Sequence, residues 1–540
     1  MFCVFVFAHK LSIFDGIKTT IPMRFHFFPI FTLLAGLTAV LLCACSPGDA
    51  HALGEFDSLY DQLPFEMTKV TRPSIPDYTV DLTDFGGVGD GVTLNTEAFA
   101  KAMRHLFDEG GGHLNVPSGI WLTGPVEILS NCDLHVTENA IVIFDPDRDF
   151  YPIIETVFEG LDTRRCESPI HAQDAKNISI TGGGVFDGSG EAWRMVKREK
   201  LTAGEWAKLI SGGGVVSEDG RIWYPDEGFA KAVKESNMNV PVGERTESEW
   251  NEIKSFLRPN MVQLRNCENV LLEGCTFQNS PCWNVHLLLC KNLLINRINV
   301  RNPYYSQNGD GIDIDSCEGV LLANSTFDVG DDGICIKSGK DADGRRRNRP
   351  CKNLIIDNCT VFHGHGGFTV GSEMSGGVEN IKVSNCRFLG TDVGLRFKSK
   401  RGRGGVVKNI YISDIYMKDI VADGILFDLF YGGKDAVMLS EEGYVEQFEQ
   451  PSMPVDETTP EFRDIHIQRI YCNGAARAIF FNGLPEMPVH NVSITDCTMT
   501  ANTGIDIRNS SDITLTRVKC YPKTGQAVST YKVVRFTNDS

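Results

Sequence analysis

Four stretches, Asp310-Gly-Ile-Asp-Ile-Asp-Ser316, Asp332-Gly-Ile-Cys-Ile-Lys-Ser338, Gly366-Gly-Phe-Thr-Val-Gly-Ser372 and Val393-Gly-Leu-Arg-Phe-Lys-Ser399, fall into register when written one above another. Each has apolar residues two apart (Ile312/Ile314, Ile334/Ile336, Phe368/Val370, Leu395/Phe397), the period of a strand that buries one face. The first two are offset by roughly one solenoid coil, so the same column recurs on successive rungs. Strands in a sheet lie about 4.8 Å apart, which sets Asp310 above Asp332 with Asp331 beside them. His365, Arg396 and Lys398 fall on the next rungs of the same face. Three acids, an imidazole and two cations converge on one groove.

The repeat extends in both directions. Segments of the form Asn/Asp-apolar-x-apolar open at Asn177, Asn269, Asn292, Asn353, Asn380, Asn409, Asp464, Asn491 and Asp512. Six residues on from Asn269, Asn353, Asn380 and Asn491 stand Cys275, Cys359, Cys386 and Cys497; parallel segments put Ile298, Ser325, Ile415, Ile470 and Val518 there. A column shared by Cys, Ile, Ser and Val is an interior stack. Most of the 17 cysteines therefore read as buried thiols rather than disulfides, and without CxxC pairs no metal is expected. The fold class that follows is all-β, a single right-handed parallel β-helix over residues 78–530.

Asn95 to Glu109 has the pattern of an amphipathic helix, with Phe99, Met103, Leu106 and Phe107 as its stripe and Asn95 or Thr96 as N-cap. It is suited to cap the open end of the solenoid. Asp84 to Gly91 is glycine-rich but lacks the Lys-Ser/Thr ending of a phosphate loop, so no nucleotide cofactor is expected. Between 191 and 257 the repeat is lost, and this insertion carries Trp193, Trp206, Trp223, Tyr224 and Trp250. It should form a flap on one face, either as a peripheral helical excursion or as an aromatic wall that stacks on sugar. Lys340–Pro350 and Glu441–Pro460 are smaller polar insertions; Asp341-Ala-Asp343-Gly344 lacks the closing Glu of a calcium loop and reads as a solvated turn.

Residues 1–45 read as an export segment. Met23-Arg24 precedes an apolar run from Phe27 to Leu42 and then Leu42-Cys43-Ala44-Cys45-Ser46, which resembles a bacterial lipoprotein signal with Cys45 as the lipidated residue. The expectation is an exported chain starting at Met23, in the periplasm or anchored to the outer membrane, with 46–77 as a linker. A formal charge of −18 argues against nucleic acid or an anionic membrane as partner, the lipid anchor aside. It leaves room for an acidic polymer held by a local basic cluster, and a monomer is expected.

Three carboxylates within a few ångströms cannot all ionise freely, and one kept protonated beside one kept as base is what glycosidic hydrolysis needs. Arg396 and Lys398, with Lys337, Lys400, Arg401 and Arg403 nearby, would make one side of the groove positive and suit a carboxylate-bearing sugar. Here the sequence resembles the polygalacturonase family of glycoside hydrolases, the pectin-degrading β-helix enzymes. Asn308-Gly309-Asp310 resembles the family's Asn-Thr-Asp motif, Gly330-Asp331-Asp332 its Gly-Asp-Asp, Gly364-His365-Gly366 its Gly-His-Gly and Arg396-Phe397-Lys398 its Arg-Ile-Lys, and the likeness covers roughly 80–520.

The resemblance implies Asp331 as general acid, Asp310 and Asp332 as holders of the attacking water, and inversion. It implies His365 as support for the acid, and Asn308, Arg396, Lys398 and Tyr431 as contacts to galacturonan, an acidic plant polysaccharide of pectin. Gly309 departs from the usual Thr and would loosen the turn that presents Asp310. Rhamnogalacturonan and xylogalacturonan hydrolases share these motifs; a pectin lyase and a noncatalytic glycan-binding β-helix are the alternatives from other classes. The two insertions, 191–257 and the one from Lys340, favour exo action.

Overall fold

The Asn or Asp that opens each segment is a corner residue. Asn177, Asn269, Asn292, Asn353, Asn380, Asn409, Asp464, Asn491 and Asp512 all have φ between 52° and 60°, a left-handed conformation in which these short polar side chains are among the few tolerated. Their amides also bond from coil to coil: Asn292 donates to Asn269 (2.8 Å), Asn269 to Asn177 (2.9 Å), Asn409 to Asn380 (3.1 Å) and Asn380 to Asn353 (3.0 Å). One residue type turns the chain and ties the corner to its neighbours.

The computed structural model describes residues 54–61, 63–432 and 451–539. The export segment with Cys45 lies outside them, as do residues 441–450 of the second polar insertion. The coils form a right-handed parallel β-helix whose three faces are illustrated by Val262–Arg265, Glu268–Glu273 and Thr276–Gln278. On the first face Ile312, Ile334, Phe368 and Leu395 are register partners in one inward column, so the four stretches stack as the sequence aligns them. Phe397, Phe427 and Phe481 stack at 4.5 Å centroid spacings beneath that face, large apolar rings that stiffen the floor. The cysteine column is interior, and the described cysteines are free thiols.

The helix Thr96–Asp108 covers the open end with Phe99, Met103 and Leu106 buried, but Phe107 is 41% exposed and outside the stripe. Asn95 stands at the N-cap position without capping. Its amide instead ties Val88, Thr93 and Leu122, because the glycine-rich turn runs against it. The stretch expected as linker is packed from Phe56 onward. Phe56 and Val70 cover Leu271, Leu294, Leu321 and Ile355, an apolar column on the outside of the second face, and Arg72 holds Glu273 at 2.8 and 3.0 Å.

Two elements rise over the first face. One is an antiparallel hairpin, Ile153–Phe158 with Leu161–Cys166. The other is the insertion, with helices Ala203–Ser211, Glu227–Lys234 and Glu247–Glu252 capped by Thr202, Asp226 and Thr246. Its aromatics do not line a sugar platform: Trp193, Tyr224 and Trp250 fill one small core, Trp206 and Trp223 another. Helices this short need an apolar interior of their own. Among the described residues, no helix is long and apolar enough to cross a membrane.

Candidate active site

The expected stripe assembles on the first face. Asp332 is the most tightly held of its members: Lys398 donates to one oxygen at 2.7 Å, while Arg396 (2.9 Å) and the Thr369 hydroxyl (3.0 Å) donate to the other. A Cβ on Gly366 would lie 2.1 Å from the Thr369 hydroxyl and 2.8 Å from Asp332, so glycine there is what lets threonine reach the acid. Burial pushes the Asp332 carboxyl up, but Lys398, Arg396 and Lys337 outweigh it and hold the group far below the usual carboxylate range.

Asp331 faces the other way. His365 Nδ1 is 3.1 Å from its oxygen, and the backbone folds so that His365 N donates to Asp331 O at 2.9 Å. Burial raises the Asp331 carboxyl, yet His365 pulls it below its ordinary value; reciprocally the charge on Asp331 raises His365, with Asp392 at 3.8 Å adding to this. Among the described residues no cation is bonded to Asp310, and one of its buried oxygens has no partner. Burial first, then the charges of Asp331 and Asp313, push its carboxyl well up. Of the three acids Asp310 therefore takes a proton most readily, and the proton next to Asp331 rests on His365. One oxygen from each acid lies within 4.8 Å of the others. The Asp331 side chain is 16% exposed against 1% for Asp332, so Asp331 is the acid that reaches the groove.

Tyr431 belongs to the cluster, its ring centre 4.8 Å from Lys398 Nζ and 5.7 Å from the Arg396 guanidinium. Asn308 does not offer its amide oxygen to the groove; Arg258 takes it at 3.0 Å. Gly309 does not loosen its turn. Ser306 is wedged between two glycines, and a Cβ at Gly309 or Gly330 would lie 2.0 or 2.5 Å from its hydroxyl, so a threonine would not fit. The wider positive side is also smaller than its sequence suggests, because Lys337 is bound to Glu373 and Asp313, Arg401 to Glu486, and Arg403 to Asp341. Thr369 carries no sequence signal beyond its place in the register, and Asp392 and Arg258, outside the register pairs, carry none.

The outward columns are roofed through the Asp310 rung. His286, Asp313 and Asp315 point away from the core yet are fully buried. The hairpin lies over them: Thr156 donates to Gln263 (3.1 Å), Phe158 packs on Trp283 (4.6 Å) and Glu159 pairs with Lys340 (3.6 Å). Gly160 presses against the Lys340 backbone, where a Cβ would lie 2.5 Å from its nitrogen. Past Arg396 and Lys398 the columns continue through Leu426, Asp428, Phe480 and Asn482 to Asp506 and Arg508. A 420 Å³ cavity there is lined by Thr503, Asp506, Arg508, Gln526 and Tyr531, among others. The acids sit at the closed end of a groove.

Comparison with known proteins gives that arrangement a family. Residues 207–440 match the family described as glycosyl hydrolases family 28. A polygalacturonase of Gossypium barbadense is 30% identical over 378 residues, 68% of this chain and 74% of that protein. This chain belongs to glycosyl hydrolases family 28. A probable polygalacturonase of Vitis vinifera is 29% identical over 406 residues, 73% of this chain and 70% of its own. The crystal structure of an exopolygalacturonase from Thermotoga maritima superimposes with a TM-score of 0.67 at 30% identity, covering 85% of this chain and 95% of the other. The protein is a family 28 glycoside hydrolase, and the right-handed parallel β-helix is the fold it shares with these relatives.

Proposed function

We propose that this enzyme hydrolyses α-linked galacturonic acid in pectin, releasing sugar from chain ends with inversion. The observation that carries the reading is the meeting of Asp310, Asp331, Asp332, His365, Arg396 and Lys398 at the roofed end of a groove. Asp331, the acid that reaches the groove, protonates the leaving oxygen, drawing on the proton it shares with His365. Asp310 and Asp332 hold the attacking water, and ionised Asp332 takes its proton. Arg396 and Lys398 receive a galacturonate carboxylate beside Tyr431. As they turn to it they loosen their hold on Asp332, which becomes a stronger base. The roof leaves no groove on the early-rung side for a polymer to run through, which supports exo action. The names of the relatives, polygalacturonase and exopolygalacturonase, support the same substrate.

A timed digest of polygalacturonic acid by wild type and Asp331→Asn tests this. New reducing ends without ultraviolet-absorbing unsaturated products, lost in the variant, are the expected result, with monomer as the early product and the inverted anomer first by proton NMR. Absorbance would make the enzyme a lyase, release from rhamnogalacturonan or xylogalacturonan alone would move the substrate, and binding without turnover would make it an adhesin-like β-helix. Export with a lipid on Cys45 is part of the reading, supported by the Phe27–Leu42 run before Leu42-Cys43-Ala44-Cys45. Labelled fatty acid should enter the wild type and not Cys45→Ala.

A further inference from the structure

The loop that delivers Asp310 is held from outside the β-helix, and one residue does most of the holding. Arg258, at the exit of the insertion, is 1% exposed. Its guanidinium donates to the backbone oxygens of Gln307 (2.8 Å) and Pro281 (3.2 Å) and to the side-chain oxygens of Asn308 (3.0 Å) and Asn239 (3.2 Å). Gln307 and Asn308 directly precede the catalytic turn; Asn239 belongs to the insertion. The hairpin reaches the same point, since Arg165 donates to Arg258 O at 2.8 Å and to Asn239 O at 3.1 Å. Among the described residues, the four hydrogen-bond partners of the Arg258 guanidinium are all neutral oxygens. A buried charge that gives up carboxylate pairing for a set of neutral acceptors is costly as a stability device, but the planar fork fixes the geometry of several groups together.

The loop itself has little other anchorage on its outer side. Asn308 is in the left-handed conformation at φ 56°, and Ser306, wedged between Gly309 and Gly330, has a hydroxyl without a partner. Asn302 bonds Gly309 O at 3.1 Å from below. Further ties run upward into the insertion, through the Tyr304 hydroxyl to Lys200 O (2.5 Å), through Tyr305 packed against the small core of Val196, Trp206 and Trp223, and through Arg194 over the Tyr305 ring at 6.0 Å.

We propose that Arg258 is a positioning residue for Asp310, so that the insertion and hairpin which roof the groove also set the water-holding acid in place. The roof is then part of the catalytic apparatus as well as a steric stop. This rests on Asp310 acting on the attacking water, and misplacement of such a group by about 1 Å costs on the order of 100-fold in turnover.

The test uses the full chain with Arg258→Ala and Asn239→Ala. In Arg258→Ala, kcat on polygalacturonate should fall about 100-fold with KM within about twofold. Millimolar guanidinium, which fits the vacated site, should restore much of kcat, and equal ammonium or sodium should not. Asn239→Ala, which removes the insertion's end of the link together with the Asn239 bond to Glu159 of the hairpin (2.6 Å), should lower kcat by about tenfold. Amide exchange over Tyr304–Asn308 should quicken in both variants while the core strand Ile334–Ile336 stays protected.

Wild-type kcat in a folded Arg258→Ala, a kcat loss that guanidinium does not restore, or unchanged exchange over Tyr304–Asn308 would each overturn the proposal. If Arg258→Ala fails to fold, kcat and exchange in Asn239→Ala decide in the same two directions. The exchange measurement does not depend on turnover. A wild type that releases nothing from polygalacturonate therefore counts against the substrate reading, while the loop's dependence on Arg258 is still judged.

Discussion

The floor of the groove and its roof are built on opposite principles. The floor repeats: each rung places an inward apolar pair and an outward pair that is polar on most rungs, so Asp313, Cys335, Thr369 and Arg396 form one column by register alone. The roof does not repeat, and its parts come from three separate places, the hairpin Ile153–Cys166, the insertion 191–257 and the loop from Lys340. A solenoid presents an open groove by default, because every coil contacts only its neighbours. The acids and cations are thus written in the periodic part, and access, together with the anchorage of the Asp310 loop through Arg258, in the aperiodic part.

The sharpest way to test that division is Asp331→Asn, which removes a floor acid and leaves the roof intact. It should lower kcat by about 100- to 10,000-fold, with product sizes from the residual activity unchanged. Next in size is the floor's response to substrate charge. Arg396 and Lys398 both hold Asp332, so a methyl-esterified oligomer, which has no carboxylate to draw them away, should lose about tenfold or more in kcat beyond any change in KM. Equal kcat on ester and free acid would show that Asp332 acts while clamped.

The proton between His365 and Asp331 gives a smaller effect with a defined sign. The Asp331 charge raises His365 above 6.5. The stabilisation it provides is therefore complete below that ordinary value and lost as pH rises through the raised one. The alkaline limb of the rate profile should lie above 6.5 in the wild type. In His365→Ala it should move to lower pH, with a drop of about tenfold at the optimum. A limb that stays put would assign it to another group.

The smallest effect on rate, and the one that isolates the roof, is Gly160→Val. With φ at 73° and the Lys340 nitrogen 2.5 Å from a new Cβ, the hairpin tip cannot dock. Because Arg165, away from the tip, keeps its bonds to Arg258 O and Asn239 O, turnover should change by only about twofold to threefold, but early digests should gain mid-sized oligomers; monomer alone would mean that the insertion closes the groove without the hairpin.

The same division decides what could be read in the sequence. The rungs, the interior cysteine column and the stripe from Asp310 to Lys398 are legible because a strand period and a coil period fix them together, and even the left-handed corners are marked by Asn and Asp. The hairpin was not legible: Ile153–Phe158 and Leu161–Cys166 are strands outside the coil period, and only the structure shows their tip against Lys340. The insertion's tryptophans leave a helical excursion and a sugar platform both open, because composition does not distinguish a sugar platform from a small core, and burial does, in favour of the first. Nor could spacing reveal that Arg396 and Lys398 spend the unliganded state on Asp332, or that Asn308 is bound to Arg258. Those are contacts between side chains distant in sequence.

The interior cysteine stack has a consequence for how the molecule matures. In the wound coils a second column, Cys267, Cys290, Cys317 and Cys351, is likewise buried, its free thiols raised above their ordinary range chiefly through burial and, at Cys267, through its Cys290 contact; such thiols are poor nucleophiles and poor targets for oxidants. Before winding, the same residues are spaced along an extended chain with nothing to shield them. In an oxidising compartment the enzyme therefore has one vulnerable period, ended by coil closure, and every mispaired disulfide formed during it would trap two rungs out of register.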